Sequence, residues 1–360
     1  MYNMSYIGEN SGFSFIDNFC EPLSDDITSA FILGRTTAYL YKKIAVCCDE
    51  SESRKMFYAV CTGISDGGSD VFMCEESILP AFRHIISIIS ADCGIYVSKK
   101  GKKISFFDKS GFPLCRENMI HLMSTEKQKI PEKCGEISEF SSVLRLYSDS
   151  ISDELKNVKI PLNAKVNCGN KKIRSLWEKF FDSDDDEFIF QVSDDGSRVN
   201  AYGMECGFIS YERLILSYAA IQGEDIYIPD TFHYAADNIA GNFGFMMKRY
   251  VSENGISGVN QRFLRDSLFL CTQLLSDMRK FYGVIRRIPA FSSAVRETGV
   301  DVPENFPVKR IINEKNGRVI LYRSGRNRIG ITAQAYESET AAELCAVWEE
   351  KLKRQCYKKR

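Results

Sequence analysis

No stretch of this chain approaches the roughly 18 consecutive apolar residues that a bilayer-spanning helix requires, so a membrane protein is not expected. The first residues carry neither the positive segment nor the apolar run of a secretion signal, and a cytoplasmic protein is expected. There is no excess of charge of either sign. The 47 basic and 48 acidic residues leave a formal net charge of −1, which provides no electrostatic footprint for nucleic acid or an anionic membrane. The basic tail Lys351–Arg360 is the one local exception and reads as a solvated helix end. Histidine is scarce. His84, His121 and His233 lie far apart, and no C-x-x-C pair accompanies them, so a zinc site is not expected. The 13 cysteines are scattered without a repeating interval, apart from adjacent Cys47-Cys48. Reduced, mostly buried thiols fit that pattern better than a disulfide framework.

What the chain does have is an ordinary globular composition, 44% hydrophobic and 26% charged, over 360 residues. That length suits about two to three domains, each with its own core. The first third alternates helix and strand signals. Ser24, Asp25 and Asp26 supply an N-cap and an acidic first turn, and Ile27, Ala30, Phe31, Gly34, Thr37, Ala38 and Tyr41 follow at helical spacing. Strands are predicted at Ile44–Cys48, Asp70–Cys74 and Cys93–Val97, with helices around 56–64 and over Leu79–Ile89 between them. Strands separated by helices imply right-handed βαβ units and a largely parallel sheet. Residues 115–160 are polar and weakly patterned and read as a domain tail plus a linker.

A second α/β unit is predicted from the strand Ala164–Asn167, the helix Ile173–Phe181, the strand Phe188–Val192 and the helix Tyr211–Ile221. A third comprises the strand Asp225–Pro229, the helix Tyr234–Phe243 and a helical stretch Arg262–Phe281. Beyond Pro289, Pro303 and Pro307 the pattern becomes strand, strand, helix: Val319–Tyr322, Ile329–Ala335 and Glu339–Lys353, a small α+β domain.

The segment GIYVSKKGKKISFFDKSGFPL (94–114) frames a short loop between two β-type runs and ends in the turn Asp108-Lys109-Ser110-Gly111. It resembles the frame GI-x-ITASHNP followed by NGIKFFD-x-x-G-x-x-L of the α-D-phosphohexomutases, the phosphoglucomutase and phosphomannomutase family. Other stretches agree in order. CEPLSDDI (20–27) resembles the family's N-E-P-L-T, and IAVCCDESES (44–53) resembles V-V-V-G-x-D-x-R-x-S-S, keeping Asp49 and Ser53. Leu79-Pro80 stands where Thr-Pro is usual, and VNCGN (166–170) resembles V-D-C-G-N-G. VILYRSGRNRIGITAQA (319–335) resembles the closing V-x-V-R-P-S-G-T-E-P-K-x-R-V-x-x-E-A. The resemblance implies three reduced α/β/α domains plus a C-terminal α+β domain, divided as 1–145, 146–223, 224–285 and 286–360.

Where the family carries its chemistry, this chain departs from the pattern. The phosphoserine of SHNP has no counterpart in Lys99-Lys100-Gly101-Lys102, leaving Ser98 as a relocated phosphoryl acceptor beside Lys99, Lys100, Lys102 and Lys103, or as part of a solvated hairpin turn. The magnesium loop D-G-D-x-D-R corresponds to Ser193-Asp194-Asp195-Gly196-Ser197-Arg198. Only Asp195 of the three carboxylates remains, with Asp194 in place of glycine. The sugar-selecting G-E-x-S-G-H loop is missing, the chain passing from Met246-Met247 through SENGISGVN to Arg265-Asp266-Ser267. The phosphate clamp is the best kept, in Arg323, Ser324 and Gly325, with Arg326 and Arg328 adding charge; a basic β-turn is the plain alternative. No cofactor is expected unless the chain is active, in which case the resemblance implies magnesium held by Asp195 and Asp194.

The resemblance thus implies a degenerate phosphohexomutase that binds a phosphorylated sugar or other anion, or a protein partner, in a regulatory role. The alternatives are an active hexose-phosphate mutase with a rebuilt site and a pure interaction module. Two other motifs lead nowhere. Gly63-Ile64-Ser65-Asp66-Gly67 matches G-x-S-x-G but falls at a helix end, the wrong place for an exposed nucleophile. Asp182, Asp184 and Asp186 mimic part of a calcium loop that lacks its glycine and closing glutamate.

Overall fold

The computed structural model describes residues 20–22, 27–49, 53–98, 103–114, 131–155, 164–181, 188–250, 261–299, 309–325 and 328–357. The chain divides into two compact units: Asn18–Phe208 with Glu253–Asp277, and Met1–Asp17 with Ile209–Ser252 and Met278–Arg360.

The first unit begins with β1 (Cys20–Pro22), α1 (Ile27–Ala38), β2 (Lys43–Cys48), α2 (Arg54–Asp66), β3 (Asp70–Cys74), α3 (Leu79–Ile88), β4 (Cys93–Ser98) and β5 (Lys103–Asp108). These strands join β6 (Ile137–Phe140) in one sheet of order β1-β5-β4-β2-β3-β6. β4, β2, β3 and β6 are parallel, and β5 and β1 turn antiparallel at the edge. Side chains alternate along β4. Cys93, Ile95 and Val97 join Val60, Cys61 and Ile64 of α2 in one core, while Gly94 and Tyr96 face α3. A Cβ on Gly94 would overlap Ile86 and come within 3.2 Å of Phe82, so the strand–helix approach on that face demands glycine. Each fully buried aliphatic side chain in this core stabilises the fold by about 1.5–3 kcal/mol.

Three expectations need correction. Residues 137–154 are not linker. β6 pairs with β3 from Val71↔Ile137 to Cys74↔Phe140, and α4 (Val143–Glu154) buries Val143, Tyr147 and Ile151, one stripe at four-residue intervals. Serines between those positions masked the stripe in the sequence. The second α/β pattern keeps its predicted closing helix, at Tyr211–Gln222, but carries strands that were not expected. β7 (Ala164–Asn167), α5 (Lys171–Trp177) and β8 (Phe188–Val192) lead into an antiparallel β9 (Val199–Gly203) and then β10 (Gly207–Ile209), so the Ser193–Arg198 turn closes a hairpin. The predicted helical stretch Arg262–Phe281 is broken into a 3-10 turn at Arg262–Leu264 and helices Ser267–Leu275 and Met278–Ile285.

The second unit pairs Ile226–Pro229 with Met247–Tyr250 in parallel, connected through the helix Ala235–Phe243. Its larger sheet is antiparallel, with Ser292–Gly299, Arg328–Ala335, Gly317–Gly325 and Lys309–Glu314 as successive neighbours, and the helix Ser338–Tyr357 completes the core through Cys345 and Leu352. Two of these four strands, Ser292–Gly299 and Lys309–Glu314, were not foreseen, because half-exposed edge strands carry little apolar alternation. The turn Asp230–Tyr234 is tied down by Arg249 Nη1 donating to Phe232 O (2.8 Å), Gln334 Nε2 to Thr231 O (2.9 Å) and Arg318 to Phe232 O.

His233 is fully buried in that turn, donating from Nε2 to Ser292 O (3.1 Å) and accepting the Ala235 N–H at Nδ1 (3.1 Å). A second ring proton would remove that acceptor, and burial first, with the Arg318 and Arg249 charges behind it, lowers His233 to about 4. His84 in the first unit is lowered to about 4 as well, by burial and then by Arg262. A base whose folded pKa is depressed costs stability only where the unfolded chain takes up protons and the folded one does not. Stability is therefore expected to be flat above pH 6.5 and to fall as pH drops from 6.5 towards 4. The loss is at most on the order of 3 kcal/mol for each histidine. Urea midpoints measured across that range check this; a midpoint that holds constant from pH 6.5 to 4.5 contradicts it.

Candidate functional site

The chain leaves β2 for β3 on one side, then returns to β4 on the other. The loops after β2 and β4 therefore diverge, opening the sheet at the carboxyl ends of two neighbouring parallel strands. In open α/β sheets that is where ligands bind. The residues at that point are Asp49, immediately after β2, and Ser98, the last residue of β4. Ser98 Oγ donates to Asp49 Oδ2 at 2.6 Å, and Ser53 Oγ, at the start of α2, donates to Asp49 Oδ1 at 2.6 Å. The Asp49 N–H donates to Val97 O (3.2 Å), which holds the carboxylate against the end of β4.

Beneath this cluster, the Ser77 N–H donates to Cys48 O (3.0 Å) and Tyr96 Oη donates to Ser77 O (2.8 Å). Burial pushes the Tyr96 phenol well up, and the charges of Cys47, Asp49 and Asp195 push it further. The Ser193–Arg198 turn packs close to Pro80 at the start of α3: a Cβ on Gly196 would meet Ile173 Cδ1 at 3.1 Å and Pro80 Cγ at 3.3 Å, and Ser267 Oγ donates to Gly196 O at 2.7 Å. Asn170 caps α5 by accepting from Lys172 N (3.0 Å), and Lys172 Nζ pairs with Glu76, which Arg54 also approaches at 3.8 Å.

The Ser193–Arg198 turn does not fit magnesium. Asp195 Oδ1 accepts from Ser193 Oγ (2.7 Å), Ser197 Oγ (2.7 Å) and Ser197 N (3.0 Å), and the Arg198 N–H donates to Ser193 Oγ (3.1 Å). The Ser193 and Ser197 hydroxyls thus spend their protons on the Asp195 carboxylate. The Asp194 carboxylate packs against Gly169, whose missing Cβ leaves room for Oδ1. Magnesium asks for near-octahedral oxygen ligation and carboxylate charge, and a turn whose Asp195 Oδ1 is already engaged by three donors of its own supplies too little of either. Among the described residues, no three His, Cys, Asp or Glu side chains are grouped to hold a metal ion.

Lys99, Lys100 and Lys102 lie outside the described residues, as do Arg326, His121 and Asp182–Asp186. Lys103 pairs opposite Ser98 across the β4–β5 hairpin. In the second unit, Arg323 is half-buried, pairs with Ile329 and precedes a bulge between Arg323 and Gly325; Ser324 and Gly325 belong to the same strand. Arg328 Nη1 lies 3.5 Å from Glu297 Oε2 on the surface, so its charge is partly engaged. Ser65 of the G-x-S-x-G string donates to Gly135 O (2.7 Å) inside the fold, a structural contact. The sequence singled out Asp49, Ser53 and Ser98 separately but not their meeting, nor Ser77 and Tyr96; the signal available was their place at the carboxyl ends of parallel strands.

Among the described side chains, eight cysteines are buried thiols. No described helix is long and apolar enough to cross a membrane. No family model and no curated protein matches the sequence. Solved structures do match it. A phosphoglucomutase/phosphomannomutase family protein from Burkholderia thailandensis superposes with a TM-score of 0.67 at 11% identity, over 99% of this chain and 98% of that one. The exocytosis-sensitive phosphoprotein pp63/parafusin, a phosphoglucomutase from Paramecium in its open form, gives 0.64 at 10% identity, over 98% and 96%. Such identity speaks to fold alone, and the fold of this chain, over its whole length, is that of the phosphoglucomutase and phosphomannomutase structures.

Proposed function

We propose that this chain uses a phosphohexomutase fold to bind a phosphorylated sugar or a similar anion without phosphoserine-dependent turnover. One observation carries this reading: the Asp195 carboxylate is taken up by the Ser193 and Ser197 hydroxyls. Phosphoryl transfer rests on positioning and on cationic neutralisation of the equatorial oxygens, and this turn offers a metal no place to supply it. Binding asks less. The Arg323-Ser324-Gly325 segment would hold the phosphate through a guanidinium fork and backbone N–H groups, with Lys99, Lys100, Lys102 and Lys103 as loop cations at the other site. The reading keeps the fourfold division 1–145, 146–223, 224–285 and 286–360, a cytoplasmic location and a regulatory role towards a protein partner.

In the test, purified protein is incubated with magnesium, glucose 1-phosphate and glucose 1,6-bisphosphate. No glucose 6-phosphate is expected to form at ordinary enzyme rates, and turnover of about 1–10³ s⁻¹ overturns the reading. Thermal stability should rise with hexose phosphate, by about 2.7 kcal/mol at a hundredfold excess over Kd, and Arg323→Ala should abolish the rise. A rise that survives Arg323→Ala removes the clamp from the proposal.

The Ser98–Asp49 contact favours a second reading, a working phosphotransferase rebuilt around a hydroxyl with a carboxylate base at 2.6 Å. In that case turnover appears in the same assay, and Ser98→Ala eliminates it.

A further inference from the structure

The strand Lys309–Glu314 lies at one edge of the antiparallel sheet in the second unit. It pairs with Gly317–Gly325 from Lys309↔Tyr322 to Glu314↔Gly317, and among the described residues no strand pairs with its far side. Val319 and Leu321 belong to the core shared with the helix Ser338–Tyr357. Their partners Ile312 and Arg310, and Glu314 by alternation, therefore lie on the helix face, with Lys309, Ile311 and Asn313 on the other. Only Lys315 and Asn316 join the two strands, and in a hairpin closed by two residues the closing pair exchanges its backbone hydrogen bonds. The alternation then turns the N–H and C=O groups of Lys309, Ile311 and Asn313 to the open side.

Sheet edges are guarded against pairing by proline, by a bulge or by an outward lysine. This strand has no proline and runs in unbroken register, and its one lysine, Lys309, is held on Asp230 at 2.6 Å. Ile311 is 37% exposed. Arg310 is exposed and, among the described residues, forms no ion pair. Alone, Arg310 would repel a copy of itself. Glu314, four positions on and on the same face, converts that repulsion into attraction in one register. Set antiparallel to a second copy with Ile312 on the two-fold axis, the strand places Arg310 opposite the other copy's Glu314, twice. Trp348 Nε1 and Lys351 Nζ both approach Glu314 at Oε1, at 2.8 and 3.6 Å, which leaves Oε2 for the guanidinium. In the same register Ile311 lies opposite Asn313 of the other copy, and both direct their backbone groups across the join. The opposite edge, Ser292–Gly299, offers no such match, because Arg296 already holds Glu349 at 3.0 Å and Glu297 meets Arg328 at 3.5 Å.

We propose that Lys309–Glu314 is a contact between two copies of this chain, joined by antiparallel pairing about a two-fold axis at Ile312, with Arg310 and Glu314 as reciprocal ion pairs. This contact does not rest on the phosphate-binding reading.

The test is sedimentation equilibrium of the full chain from about 1 to 100 μM, where a monomer–dimer equilibrium is expected. Arg310→Glu sets like charges opposite each other twice and should raise the dissociation constant by more than about tenfold. Adding Glu314→Arg to that variant restores two opposite-charge pairs and should recover the dimer. Glu314 also holds Trp348, so Ile311→Pro provides an arm that leaves the carboxylate in place. The Ile311 N–H faces the open side, so proline there removes no bond to Gly317–Gly325 and should leave a monomer with an unchanged circular dichroism spectrum. A mass of one copy throughout the range overturns the proposal. So does a dimer that survives Arg310→Glu or Ile311→Pro, or a folded double variant that stays monomeric.

Discussion

Asp266→Ala is expected to destabilise the protein by about 3–5 kcal/mol, because it strands a buried arginine. Asp266 is 2% exposed and is the meeting point of three elements. Its Oδ2 accepts from Arg262 Nε at 2.8 Å, its Oδ1 from Tyr147 Oη of α4 at 2.6 Å, and Oδ1 also caps the helix Ser267–Leu275 through Phe269 N at 3.0 Å. Arg262 has one other carboxylate, Glu154 Oε1 at 3.0 Å, itself half-exposed and so a weaker partner. Removing the carboxylate deletes an N-cap worth about 1 kcal/mol and leaves the Tyr147 hydroxyl without its acceptor. Asp266→Asn keeps an acceptor and a cap while removing only the charge, so it should cost less than the alanine. Urea unfolding of both variants measures this. A loss below 1 kcal/mol for the alanine would mean that Glu154 neutralises Arg262 alone.

Gly63→Ala is expected to cost about 2–4 kcal/mol, although helix propensity by itself favours alanine by about 1 kcal/mol. α1 and α2 cross with backbone against backbone. A Cβ on Gly63 would overlap the Phe31 carbonyl oxygen, and one on Gly34 would overlap the Val60 carbonyl oxygen. Carbonyl oxygens within a helix cannot swing aside as a side chain can, so the helices must separate and loosen the core around Val60 and Ile64. Gly283, inside the helix Met278–Ile285, has nothing within 4 Å of its would-be Cβ. Gly283→Ala should therefore stabilise by about 0.5–1 kcal/mol, the opposite sign from the same substitution. Equal urea midpoints for the two variants would show that the close crossing does not govern α1–α2 packing.

The fold was legible wherever a strand or helix carried its own period. Asp70–Cys74, Ala164–Asn167 and Phe188–Val192 have the bounds that their apolar runs predict, and α2, α3 and β4 differ by a few residues at their ends. Ile137–Phe140 and Ser292–Gly299 escaped notice because each sits at a sheet edge, half solvated, with apolar Ile137 and Val295 in exposed positions, so neither shows an apolar face that alternates with a polar one. The break between Leu275 and Met278 lies in an uninterrupted helical pattern without proline or glycine, so nothing local marked it. For the candidate site, the sequence supplied the residue types but not their neighbours. Ser193 and Ser197 were visible as hydroxyl residues flanking Asp195, whereas their donation to its carboxylate required the turn to close.

The amino-acid order by itself determined which segments become β2, α2, β3, α3 and β4, because apolar periodicity and capping act within about a dozen residues. It also placed hydroxyl side chains, which carry no charge, on both sides of Asp195 at Ser193 and Ser197. Only the tertiary structure decided that Asp49 and Ser98, 49 positions apart, share a hydrogen bond, and that Arg265 lies against Gly111 and Arg83. Such pairings follow from strand order and helix placement, which depend on how the whole core packs, and no local pattern encodes them.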